Sequence, residues 1–212
     1  MAMSIMVGIT SVSRSKNVIE KEARNNLYVL GKSYAMEFNK DLAVYESIVL
    51  GMYKTVEGTI DIRKLYEDGY LEKYSDNILS PIVQKMPKEL EKSAGLYIVF
   101  DPKFTGRSEG IWAAVDDSGK VMHSIPTNLA GKSPDDPSAS FYYDAVKADG
   151  PVWSDFYKNN ADLNVMTYSI PLVLNNTLIG VVGADIKVGK LEEQVENIKL
   201  YDTGYAFMLN KD

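Results

Sequence analysis

The chain contains no cysteine and only one histidine, His123. Without cysteine there is no disulfide framework, no thiolate metal site and no cysteine nucleophile. One histidine excludes a zinc centre of the histidine-rich kind. Any Ser–His–Asp arrangement would rest on His123 alone; it sits on a predicted strand between Met122 and Ser124, where a structural or exposed role is the plainer reading. The lack of cysteine does not locate the protein, since it suits a reducing cytoplasm and an outer surface stabilised by packing alike.

Catalytic motifs are missing too. A phosphate-binding loop needs a glycine five residues before Gly-Lys-Ser, but Gly31-Lys32-Ser33 has Asn26 there and Gly131-Lys132-Ser133 has Pro126. There is no GxGxxG, HExxH or GxSxG. Asp116-Asp117-Ser118-Gly119 lacks the alternating acids and distal glutamate of a calcium loop and reads as a hairpin turn. Asn175-Asn176-Thr177 matches a glycosylation sequon, a weak three-residue signal. No carboxylate pair has the spacing of a hydrolase. The chain is therefore not expected to be an enzyme by itself, and no cofactor or metal is expected.

Basic charge is in the minority, with 23 Lys and Arg against 29 Asp and Glu and a net charge of −6. That argues against nucleic acid as a partner, because phosphate binding needs a basic surface. Long apolar runs are absent. Residues 1–10 are apolar, but a bilayer span takes about 20 residues, and the basic start and cleavage site of a signal peptide are missing. Two readings of residues 1–12 stand: a loose end, or the last part of a membrane helix.

What is present is a globular composition. The 212 residues are 45% hydrophobic and 25% charged, enough for one large domain or a domain with an appendage, and not a disordered chain. From 13 to 57 the apolar residues fall at steps of three and four: Ile19, Ala23, Leu27, Leu30, Tyr34, Phe38, Leu42, Tyr45, Val49, Met52 and Val56. That is one stripe on a helix, and no proline interrupts it. About 43 residues at about 1.5 Å each make a rod of about 65 Å. Such a rod is expected to project beyond a body with a radius of gyration of about 17 Å, as a stalk does. The alternative is a break near Gly31 into two ordinary helices.

Residues 58–200 read as the body. A short helix ending at Gly69 is followed by one kinked helix or two short ones over 70–90, with Pro81 and Pro87 as interruptions. After Gly95 the period changes to that of strands: 95–101, a hairpin over 110–125 turning at Asp117-Ser118-Gly119, and a second hairpin pairing 164–174 with 177–186 through Asn175-Asn176. Helices are expected over 138–148 and 190–200. The fold class is α+β, a long N-terminal helix followed by a PAS-like antiparallel sheet flanked by helices. A further strand is expected over 205–209, opening a new element in 201–212, so the chain reads as a piece of a longer protein.

Aromatic residues cluster unevenly. Phe141, Tyr142, Tyr143, Trp153, Phe156 and Tyr157 fall close together, and Tyr168 follows on the next strand. Such rings form core, pocket walls or both. On the strand over 177–186, alternation puts Ile179, Val181, Gly183 and Asp185 on one face. A carboxylate ending an apolar row needs a partner: a donor side chain, the N-terminus of the following helix, or a ligand ammonium. Cross-strand pairing is expected to bring Tyr168 near Asp185.

These stretches resemble the double Cache (dCache, PDC-type) sensor domains of bacterial and archaeal histidine kinases, chemoreceptors and diguanylate cyclases. The similar pieces are the aromatic pair opening a short helix, GPVWSDFY, TYSIPL, GVVGADI, the hairpin GIWAAVDDSGKV, the long N-terminal helix, and LYDTGYAFMLNKD, which is similar to the start of the family's membrane-proximal module. The resemblance implies an extracytoplasmic, ligand-sensing domain of a membrane-anchored receptor, a homodimer through the N-terminal helix, and a small-molecule ligand (an amine, an organic acid or an amino-acid-like compound). Its site would comprise Phe141, Tyr142, Tyr157 and Asp185, with Trp112, Trp153 and Tyr168 added from alternation. In the amino-acid-binding subgroup an arginine stands two residues before the aromatic pair; here that place is Ala139. Arg107 is a substitute only if its loop folds over the site. The alternative function is a dimerising structural or protein-binding module with a vestigial pocket.

Overall fold

The computed structural model describes residues 2–86, 93–115, 120–124, 126–159, 163–199 and 204–207, with side chains from residue 15 onward. The chain divides into two compact units, Val44–Gln194 and a second made of Met1–Ala43 with Val195–Asp212. Among the described residues no helix is long and apolar enough to cross a membrane.

Helix α1 (Ala2–Thr59) is unbroken through Gly31 and Gly51. Each glycine costs about 1 kcal/mol against alanine, which its length absorbs. Its apolar stripe changes character along the helix: Ile19 and Leu27 are exposed, Leu30, Tyr34 and Phe38 are half-buried, and Tyr45, Val49, Met52 and Val56 are buried. The predicted helix before Gly69 is a single 3-10 turn, Ile62–Lys64, capped by the Asp61 carboxylate accepting from the Arg63 amide. Gly69, at φ +70°, precedes α2 (Tyr70–Tyr74) and does not close a helix. A π-helical turn, Ser75–Leu79, leads without a break into α3 (Ser80–Val83): the Ser80 amide donates to the Ser75 carbonyl, and Pro81, which has no N–H to continue the ladder, follows directly. Pro87 lies outside the described residues.

Among the described residues, seven strands form one antiparallel sheet: β1 (Ser93–Phe100), β2 (Glu109–Val115), β3 (Val121–Ser124), β4 (Val152–Trp153), β5 (Tyr157–Lys158), β6 (Asn164–Leu174) and β7 (Thr177–Lys187). Their order is β3-β2-β1-β7-β6-β4, and β5 also pairs with β6. The predicted hairpins are present. Asn175 and Asn176 adopt φ +48° and +60°, the paired positive values that a two-residue hairpin needs to match strand twist. The turn over 117–119 lies outside the described residues. Between β3 and β4, a 3-10 turn, Pro137–Ala139, enters α4 (Ser140–Ala148). Helix α5 (Val188–Glu196) follows β7 directly. The expected strand over 205–209 is not formed in its described part: 205–207 have no regular structure, Tyr205 and Phe207 are exposed, and only Gly204 makes an isolated bridge. Alternating apolarity does not make a strand where no neighbour takes up its backbone groups.

Both faces of the sheet are covered, so β1 is buried along its whole length. One face carries Leu96, Ile98, Phe100, Val182, Ala184 and Ile186. The ring of Tyr74 from α2 meets Phe100 edge-on at 6.0 Å, and the Tyr74 hydroxyl bonds to Thr59 of α1 at 2.6 Å. The other face carries Tyr97, Val99 and Val181, which pack with Phe141, Tyr142 and Ala145 of α4 and with Leu129.

Phe100 is fully buried, whereas Phe156 is mostly exposed. Replacing Phe100 by alanine is expected to lower unfolding free energy by about 3–5 kcal/mol, while Phe156→Ala changes it by less than about 0.5 kcal/mol. Urea titrations of the two variants check the contrast.

Candidate ligand-binding cavity

Two glycines prepare the sheet surface beneath α4. Tyr97 on β1 pairs with Gly183 on β7, and a Cβ on Gly183 would run into the Tyr97 ring. Trp112 on β2 leans across β1 so that its indole occupies the place a Cβ on Gly95 would take. Each ring therefore lies over a position without a side chain, which lets the backbone and ring approach closely. The Tyr97 hydroxyl donates to the Phe141 carbonyl of α4 at 3.1 Å, and the two rings meet edge-on at 5.2 Å. Above this floor is an open cavity of about 220 Å³, below the roughly 300–1,000 Å³ of drug-sized pockets. Its walls are Tyr97, Val99, Trp112, Phe141 and Tyr157. Ser124, Pro126, Thr127 and Asn159 add polar and loop contacts, and Asp185 supplies the one carboxylate among the lining residues.

Asp185 is 5% exposed. A bulge at Ala94 sets Gly95 opposite it on one side, and Thr167 of β6 faces it on the other. The Thr167 hydroxyl donates to Asp185 Oδ1 at 2.7 Å, and Asn159 Nδ2 lies 3.4 Å from Oδ2. Because Thr167 spends its proton on Asp185, the Tyr157 hydroxyl donates to Thr167 Oγ1, at 2.8 Å. Ser154 clamps the Thr167 backbone, its amide donating to the Thr167 carbonyl at 2.8 Å and its Oγ accepting from the Thr167 amide at 2.9 Å. Burial raises the Asp185 carboxyl to about 6, against the lowering effect of its hydrogen bonds to Thr167, Asn159 and Tyr157. Burial, with the nearby Asp185 charge, also raises the Tyr157 and Tyr97 phenols, so both remain neutral donors.

Of the seven residues singled out from sequence, Trp112, Phe141, Tyr157 and Asp185 line this cavity. Tyr142 is buried in the same cluster without lining it, and its hydroxyl, near Asp101, lacks a hydrogen bond of normal geometry. Trp153 and Tyr168 stand on the opposite face of the sheet. The register pairs Asp185 with Thr167 and Tyr168 with Ala184, one residue away from the expected neighbourhood, and neighbours along a strand point to opposite faces. There Trp153 and Tyr168 pair cross-strand with ring centroids 4.9 Å apart, and the Trp153 indole donates to Glu46 of α1 at 3.0 Å. Arg107 does not reach over the cavity: it pairs with Glu109 at 2.5 Å and with Glu72 of α2 at 3.4 Å, and Ala139 is fully buried. His123 is exposed, 3.5 Å from the Ser80 hydroxyl. Sequence reasoning missed Tyr97, Thr167 and Asn159. Tyr97 shares the alternation of Val99, which was a usable signal; Asn159 comes from an irregular stretch and left none.

An antiparallel sheet with the last turns of α1 on one face, and a small cavity beneath a short helix on the other, is a PAS-like fold. The chain matches the family described as methyl-accepting chemotaxis protein-like, first PDC sensor domain, over residues 79–193, and it belongs to that family. It is 29% identical over 131 residues to the methyl-accepting chemotaxis protein PscA of Pseudomonas syringae pv. tomato, covering 58% of this chain and 19% of PscA. Among solved structures it is similar to the ligand-binding domain of the Campylobacter jejuni chemoreceptor Tlp3 in complex with 4-methylisoleucine, with TM-score 0.58, 16% identity, and coverage of 85% of this chain and 64% of that one. It is also similar to the extracellular domain of the putative histidine kinase mmHK1S-Z3, with TM-score 0.56, 18% identity, and coverage of 82% and 60%. The chain thus spans about a fifth of the chemotaxis protein and under two thirds of these sensor domains.

Asp185 has a folded-state pKa above the ordinary carboxylate value of 3.8. Its protonation therefore favours the folded state fully below about pH 4, and that contribution is lost as pH rises through about 6. Asp185→Asn keeps an acceptor for Thr167 without the buried charge. It is expected to exceed the parent chain in stability at pH 7 by up to about 3 kcal/mol, with the gap closing below pH 4. Denaturant titrations at pH 4, 6 and 7.5 measure this.

Proposed function

We propose that this PDC domain is the extracytoplasmic ligand-sensing module of a membrane-anchored receptor, and that its ligand is a small primary amine. The ammonium would sit on Asp185 and the body of the ligand among Tyr97, Trp112, Phe141 and Tyr157. The observation that carries the reading is a buried carboxylate as the sole ionisable acid or base, tyrosine phenols aside, among the residues lining an otherwise aromatic cavity. A carboxylate taken out of water needs a positive partner, and aromatic faces attract the same cation. Tlp3 structures contain 4-methylisoleucine and L-norvaline. An amino acid here would share the ammonium contact, but its carboxylate would meet no lysine or arginine among the lining residues. Ligand binding signals only if the ligand favours one of two arrangements of the domain.

Calorimetric titration with small alkylamines is expected to show binding at pH 7.5. Asp185→Asn should weaken it about 10- to 100-fold, the worth of one charge-assisted hydrogen bond. Affinity should fall about tenfold per pH unit below pH 6, as the carboxyl takes up its proton. Unchanged affinity in Asp185→Asn would sink the amine reading.

The same reading includes a homodimer through α1. Support comes from Ile19 and Leu27, apolar residues of the α1 stripe that are exposed in the single chain, surface that a partner helix would cover. Sedimentation should give a dimer for the parent chain and a monomer for the double variant Ile19→Glu, Leu27→Glu.

A further inference from the structure

The cavity holds a second polar feature beside the carboxylate. The ring atom of Trp112 nearest the vacant Cβ position of Gly95 is the indole nitrogen, Nε1. Gly95 is the cross-strand partner of Asp185. The indole N–H edge therefore lies over the strand position opposite Asp185, on the same face of the sheet, and Trp112 and Asp185 both line the cavity. The tyrosine hydroxyls at the cavity are already engaged, Tyr97 with the Phe141 carbonyl and Tyr157 with Thr167. Among the described residues the Trp112 indole N–H has no protein acceptor. A ligand that fills the cavity covers this donor. Covering it without an acceptor costs affinity, whereas a hydrogen bond to it does not.

We infer that Trp112 is a specificity-determining residue whose Nε1–H selects amines carrying a neutral acceptor, a hydroxyl or carbonyl oxygen, within two carbons of the ammonium. This rests on the amine reading above and goes further, naming the class as amino alcohols and amino amides over plain alkylamines. The acceptor is neutral because a single uncharged N–H does not replace the water lost by a carboxylate.

Ethanolamine and n-propylamine test this as a near-isosteric pair, a hydroxyl against a methyl. In the parent chain ethanolamine is expected to bind more tightly. Trp112→Phe keeps a ring over Gly95 and deletes the N–H, and should move the ratio of the two dissociation constants toward propylamine by about 3- to 10-fold. Thermal denaturation checks that the variant folds. Independently of any variant, ethanolamine should shift the Trp112 indole N–H proton resonance downfield and propylamine should not; with two tryptophans in the chain the assignment is direct. A ratio unchanged in Trp112→Phe, with both amines bound, overturns the role of Trp112 and leaves the amine reading standing. L-Alanine binding more tightly than ethanolamine overturns the neutral acceptor. If neither amine binds the parent chain, or Asp185→Asn leaves both affinities unaltered, the amine reading falls and this inference with it.

Discussion

The register between β6 and β7 is the constraint on which the cavity side depends. It is fixed at one end by the two-residue turn at Asn175 and Asn176, both at positive φ, and it runs to Val165 opposite Lys187, with a single irregularity near Leu172. It places Thr167 opposite Asp185, Ser169 opposite Gly183 and Tyr168 opposite Ala184. A slip of one residue would exchange the faces of every side chain on β6. Thr167 would leave the carboxylate, and Tyr168 would leave Trp153. Because both faces of the sheet are packed, neither exchange is tolerated.

Within that register the protein carries an electrostatic burden. Asp185 is held nearly out of water by apolar and aromatic neighbours, and its charged form is stabilised by the Thr167 hydroxyl and a long contact from Asn159. These bonds do not cancel the burial penalty, which is why the carboxyl titrates near 6. A group whose environment opposes its charge is a common mark of a binding or reacting site. A carboxylate kept only for folding would be better served by asparagine, which bonds to Thr167 without the charge. The family to which the chain belongs is a family of sensor domains, and the amine proposed above would supply the positive charge that this site lacks.

The two faces of the sheet do different work. One receives α1, α2 and α3, with Trp153 from the sheet edge bonded to Glu46 of α1. The other receives α4 and the cavity. Thr167 stands between them: its side chain reaches Asp185, while its backbone is held by Ser154, the neighbour of Trp153. The irregular segment around β4 and β5 thus contributes to both faces within six residues, Trp153 to one and Tyr157 to the other.

Much of this fold was legible in the sequence because it is local. Helical spacing without proline specified α1, alternation specified β6 and β7, and Asn-Asn specified their turn. Phe141, Tyr157 and Asp185 could be marked because they match the motifs of the family the chain resembles, and Trp112 because of strand alternation. The strand expected over 205–209 is not formed at 205–207, its described part, because a strand needs a neighbour as well as a pattern. The rest was decided by tertiary structure. Trp153 and Tyr168 lie near the cavity residues in sequence but face α1, since a strand sends adjacent side chains to opposite sides and only the register says which. Tyr97 and Trp112 became cavity walls because glycines on neighbouring strands left room for their rings. The sequence by itself determined the elements and the chemistry available, through short-range periodicity. Only the three-dimensional pairing of distant strands decided which of those side chains share one space.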